Sequence, residues 1–142
     1  MLVDWDAFGI RKDSKIDAGI ISSVQKKLNV IFPNSYVDLI MYSNGACPEI
    51  SSFEYQDDGT CISEFFEFSD EVRPYTISWY TRSNGVPNLP DGFIPIARDA
   101  GDYLICLNFN NNPASVEIYD PSSERLFFVA NSFDEFVSLW HE

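Results

Sequence analysis

One histidine among 142 residues leaves the chain little acid–base chemistry. That residue, His141, is next to last, where end fraying is common, so a histidine-based triad or relay has no material to be built from. Metal chemistry is as poorly supplied. Cys47, Cys61 and Cys106 are odd in number and lack CxxC spacing, no histidine or cysteine pair is placed for zinc, and Asp57, Asp58, Asp99 and Asp102 lack the spacing of a calcium loop. The seven glycines form no phosphate-binding signature. No enzyme activity, metal or cofactor is expected. Eighteen apolar residues never occur together, and "MLVDWDAFGIRKDSK" has acids where a signal peptide has a basic start, so a soluble, cytoplasmic protein with reduced, buried cysteines is expected.

Basic residues are also scarce: nine against 22 acidic ones, for a formal charge of −13. Residues 1–28 hold five basic and four acidic side chains; the rest of the chain holds four and 18. The densest acidic run spans residues 49–71, where Glu49, Glu54, Asp57, Asp58, Glu64, Glu67, Asp70 and Glu71 occur without one Lys or Arg. Nucleic-acid binding depends on basic groups displacing counterions, so DNA and RNA are not expected as direct partners. Two readings of the run stay open. It is a solvated face that keeps the protein soluble, or a field that speeds encounter with a basic protein.

What is present reads as one domain with a real core, since 45% of the residues are hydrophobic. Ile16, Ile20, Ile21, Val24 and Leu28 recur at helical spacing, and Lys26 and Lys27 suit the negative end of that helix. In "FPNSYVDLIMYSNG" Pro33 starts a second helix, Tyr36, Leu39 and Ile40 form its inner face, and Gly45 supplies a left-handed end. "SSFEYQDDGTCISEFFEF" reads as two short strands around an Asp57-Asp58-Gly59 turn, and "PYTISWYTRSNG" as a helix. "FIPIAR", "DYLICLNF", "SVEIYD" and "RLFFVA" read as four strands of an antiparallel meander. Ser132 and Glu135 form a capping box for a closing helix carrying Phe133, Phe136, Val137 and Trp140. The fold class is α+β: a single domain over residues 1–142, with an antiparallel meander and helices at both ends packed on it.

Within the meander, a three-residue loop Asp99-Ala100-Gly101 is expected, with Gly101 left-handed and both Asp99 and Asp102 solvated. This hairpin completes an ordered set of motifs: "FPNSYVDLIMYSNGA", "GFIPIARDAGDYLICLNF", "SVEIYD" and "VANSFDEFVSLW". The set resembles the SUKH superfamily, which includes the Smi/Knr cell-wall-assembly regulators, over roughly residues 28–140. Pro33, Asn44, Gly45, Ile94, Pro95, Ile96, Ala97, Asp99, Gly101, Asp102, Ser132, Phe133 and Phe136 match its pattern; Ala46, Ala100 and Tyr119 depart from it. The resemblance implies an α+β scaffold used mostly by bacterial immunity proteins that bind toxin domains such as nucleases and deaminases.

The expected function is therefore that of a non-enzymatic immunity protein that occludes a secreted, basic toxin domain, with no nucleic acid or membrane as partner. The expected contact residues are Asp57, Asp58, Glu64, Glu67, Asp99, Asp102 and Tyr103, with Trp79 and Tyr80 as aromatic anchors. For Trp79, Tyr80 and Tyr103, core packing is the competing role. Trp5 is expected to fold the amino terminus onto the domain and Trp140 to lie in the core. A Smi/Knr-type regulatory or scaffold domain and a small-ligand binder are the two alternatives.

Overall fold

The computed structural model describes residues 3–13, 16–82 and 86–142. After a 3₁₀ turn at Trp5–Phe8, the elements are α1 (Ala18–Leu28), α2 (Asn34–Tyr42), β1 (Ser52–Tyr55), β2 (Asp58–Phe65) and α3 (Ile77–Arg82). They continue with β3 (Phe93–Asp99), β4 (Leu104–Asn108), β5 (Ser115–Asp120), β6 (Arg125–Ala130) and α4 (Phe133–Ser138). The six strands form one antiparallel sheet in the order β1-β2-β3-β4-β5-β6. The expected α+β meander is present, with the β1–β2 hairpin added as two further strands. The sheet curls until β1 nears β6, where the Tyr55 and Phe127 rings lie 5.7 Å apart. Pro95 has no N–H to give a ladder, and the β3–β4 register shifts between Pro95 and Ala97.

The helices form where their ends are satisfied. Asp17 accepts the Ile20 N–H (3.0 Å) at the start of α1, and Asn29, left-handed at φ 56°, closes it. Ser132 accepts the Glu135 N–H (3.1 Å) at the start of α4, while the Glu135 carboxylate accepts from the Asn131 side chain (3.2 Å). Aromatic rings fill the space inside the curled sheet: Phe32, Tyr36, Phe53, Phe133 and Phe136 are essentially inaccessible, and Phe136 meets Phe53 at 5.0 Å and Trp140 at 5.6 Å, both edge-on. Trp140 is buried, as expected, and Trp5 packs beside it at 6.4 Å. Every residue of β4 is buried, so both faces of the sheet's middle are covered. α3 packs on β3, and the Tyr119 hydroxyl donates to the Pro87 carbonyl (3.0 Å), which ties the loop before β3 to the sheet.

Several local expectations are corrected. The β1–β2 turn is Gln56-Asp57, both left-handed (φ 51° and 65°), as a two-residue hairpin of the favoured twist requires; Asp58 and Gly59 already belong to β2. α2 ends on extended Ser43, and Gly45 takes its left-handed conformation (φ 76°) in the turn beyond. Cys47 is exposed in that connection and Cys61 half-buried on β2; only Cys106 is buried. His141 is not frayed: its backbone exchanges both hydrogen bonds with Ser52 on the outer edge of β1 (3.0 and 2.9 Å). The α3 helix is present, while the end of its predicted segment, Ser83-Asn84-Gly85, lies outside the described residues.

Candidate functional site: a hairpin tip between two grooves

The β3–β4 loop has the expected length but is displaced by one residue. Asp102 N–H donates to the Asp99 carbonyl (3.1 Å) and Asp99 N–H to that of Tyr103 (3.0 Å), so the loop is Ala100-Gly101-Asp102. Asp102, not Gly101, is left-handed (φ 64°). The cause is the Asp99 side chain: Oδ1 accepts from the N–H groups of Gly101 and Tyr103 (both 2.9 Å), and Oδ2 from the Thr60 hydroxyl (3.0 Å). A carboxylate so occupied is pulled inward. Asp99 is only 2% exposed, against the expectation of a solvated contact residue. It positions the tip, and Asp102, exposed, is the acid that the tip presents.

Arg98 braces one flank of this tip. Its Nε donates to Glu64 (2.9 Å) and its Nη1 to Asp102 (2.8 Å), which raises the guanidinium pKa further, chiefly through the Glu64 bond. Beside it, α3 contributes Tyr80, half-buried and stacked on Phe66 at 4.1 Å. Trp79, on the same helix, is also half-buried. Tyr80, Arg98, Asp102, Leu104 and Pro121 join Tyr75 around a groove of about 430 Å³. Glu67 lies on the adjoining strap, paired with Arg73, which also holds Glu71 (2.8 Å).

On the other flank the β1–β2 hairpin folds beside the tip and encloses a larger groove of about 640 Å³. Tyr55, Asp58, Thr60, Asp99, Gly101 and Tyr103 line it, with Glu54 at its edge, and no lysine or arginine among the described residues does. The two phenols register the local field. The pKa of Tyr103 is raised, first by the negative charge of Asp120, to which its hydroxyl is hydrogen-bonded. That of Tyr55 is raised by burial and then by Asp99 and Asp58. Asp120 is itself held low by hydrogen bonds, the first from the Ser123 hydroxyl (2.7 Å). Three turns, at residues 56–57, 100–102 and 121–124, thus bring carboxylates and tyrosines to one end of the sheet.

The nine predicted residues therefore divide. Asp57 and Asp58 are exposed at the β1–β2 tip; Asp58, Asp99 and Tyr103 line the larger groove; Tyr80 and Asp102 line the smaller; Glu64 and Glu67 are held by arginines beside it; Trp79, half-buried on α3, lines neither groove. Sequence reading missed Tyr55, Tyr75 and Asp120. Tyr55 had a signal, its position next to the turn; the other two come from segments distant in the chain. Among the described residues no three His, Cys, Asp or Glu side chains converge to hold a metal ion, and no helix is long and apolar enough to cross a membrane.

Residues 15–139 match the model of the SMI1 / KNR4 family (SUKH-1). The chain belongs to that family. Comparison with curated proteins finds no match. Membership in SUKH-1 supports a protein-interaction module without catalysis. In this member part of one motif of that resemblance, "IPIARDAGDY", supplies most of β3 and the tip that separates the two grooves.

Proposed function

We propose that this SUKH-1 protein is an immunity protein: it binds a basic toxin domain of nuclease or deaminase type and neutralises it by occlusion, in the cytoplasm and without catalysis. The observation that carries this reading is the larger groove, where Asp58, Asp99 and the Tyr55 and Tyr103 rings face one space that no basic side chain among the described residues lines. Carboxylates at its rim attract a basic surface before contact, and tyrosines supply contact area at low entropic cost. Asp57, Asp58 and Asp102 act as rim charges, Tyr103, Tyr80 and Trp79 as anchors, and Asp99 as the residue that sets the tip. Glu64 and Glu67 contribute through the arginines they hold.

Binding of the toxin domain encoded beside its gene, followed by surface plasmon resonance at two salt concentrations, tests the proposal. Asp57→Asn with Asp58→Asn should slow association several-fold at low salt and flatten its salt dependence, because the field is screened over about 8 Å at physiological strength. Tyr103→Ala should chiefly speed dissociation. An association rate indifferent to both salt and the two amides would leave these acids as a solubility feature. Tight binding of a host protein instead of the toxin would favour a regulatory domain of the Smi/Knr type.

A further inference from the structure

Tyr75 is the most exposed aromatic side chain among the described residues, at 61%, and its backbone is left-handed at φ 69°. A bulky residue takes that conformation only where its surroundings impose it, and such outliers gather at functional sites. The surroundings are specific. Glu67 N–H donates to the Tyr75 carbonyl (3.0 Å), and Ile77 N–H to that of Glu67 (3.1 Å). Buried Thr76 donates its hydroxyl to the Arg73 carbonyl (2.7 Å) and accepts the Trp79 N–H (3.2 Å). Of these bonds only the first uses an atom of residue 75, its carbonyl, and none uses its ring. The fold would be served by glycine.

The ring instead forms one wall of the smaller groove. Tyr80, fixed by its stack on Phe66, lines it too, with buried Leu104, exposed Pro121 and the hydrogen-bonded pair Arg98 and Asp102. Tyr80, Arg98 and Asp102 are held before anything binds, which lowers the entropic cost of an interface. Around it, Glu64, Glu67, Glu71 and Asp102 outnumber Arg73 and Arg98, which they hold, by four to two.

We infer that this groove is a second docking point for the partner that meets the hairpin tip, with Tyr75 as its anchor. It takes an extended, basic segment of that protein: one aliphatic or prolyl side chain seats on Leu104 and Pro121 between the two tyrosine rings, and neighbouring Lys or Arg residues face the surplus carboxylates. The inference rests on the immunity reading and extends it, since Tyr103 lines one groove and Asp102 the other, so a single partner grips the hairpin from both flanks.

The test uses the full chain, the toxin domain encoded beside its gene, and the variants Tyr75→Ala and Tyr75→Gly. Both should dissociate about tenfold faster than the parent, as for an aromatic hot spot, with association changed less than about twofold. Tyr75→Gly should melt no lower than the parent, because glycine adopts positive φ without strain. Loss of binding without loss of stability is a result that a purely structural tyrosine does not give. Parent-like dissociation of Tyr75→Gly overturns the inference alone, as does a lowered Tm with unchanged dissociation. A parent chain that fails to bind the toxin overturns the immunity reading and this inference with it.

Discussion

Asp57 and Asp58, at the open tip of the β1–β2 hairpin, differ from the carboxylates along and beyond the β2–β3 seam in what the fold has done with their charge. At the tip neither acid makes an ion pair among the described residues, and both are exposed. Along the seam Glu64 is held by Arg98 and Asp99 by three donors, and beyond it Arg73 holds Glu67 and Glu71 while Lys27 reaches Asp70 at 3.5 Å. An acidic run without one basic residue in sequence is thus half-neutralised in space by residues from α1, the strap before α3, and β3. The comparison teaches that a run of one charge is not one surface. Only the part that the fold leaves unanswered projects a field.

The largest effect that can break this comparison is expected at Asp99. Asp99→Ala strands two backbone N–H groups and a hydroxyl near a buried position, at a cost of about 2–4 kcal/mol in urea unfolding. A loss below about 0.5 kcal/mol would show that the seam carboxylate does not set the tip. The next separates seam from tip directly. Glu64→Gln should cost about 1 kcal/mol by weakening a charge-assisted bond to Arg98, whereas Asp57→Asn with Asp58→Asn should stay within about 0.5 kcal/mol, asparagine being at home in left-handed turns. Equal losses would erase the distinction.

The smallest effect concerns Glu54, which belongs to either class depending on pH. Both its oxygens lie 2.9 Å from Nε2 of His141, and that bond raises the imidazole pKa from its ordinary 6.5, with the Glu142 carbonyl adding to it. A raised folded pKa means that the stabilisation is fully present below the unfolded value and is lost as pH rises through the folded one. The Tm of the parent should therefore fall slightly above about pH 6.5, and Glu54→Gln should flatten that slope. Both groups are solvent-facing, so 1 M salt should shrink the difference. A slope unchanged by Glu54→Gln would place its origin elsewhere.

Much of the architecture was legible because hydrophobic period and turn chemistry are local. The β-rich runs between residues 93 and 130 became β3 to β6, and the stripes headed by Ile21 and Tyr36 became α1 and α2. The β3–β4 hairpin was legible in length but not in register, because Asp99 captures N–H groups on the far side of the loop and moves the left-handed position from Gly101 to Asp102. A Cβ at Gly101 would meet only Asp99 Oδ1, at 3.6 Å, so nothing there demands glycine. The grooves were not legible. Each joins elements that are far apart in the chain, and Tyr75 or Asp120 has no meaning as a site residue until the sheet has curled.

By itself the sequence determined the order and type of the elements, the family and the charge of −13, since all of these follow from local patterns and from composition. Tertiary structure alone decided which carboxylates remain open, that Asp99 is buried and the chain end tied to β1, and where tyrosines and acids face one space. The physical reason is range. Periodicity, capping and turn preference act over a few residues, whereas the neutralisation of a carboxylate depends on which arginine the folded sheet sets within about 3 Å of it.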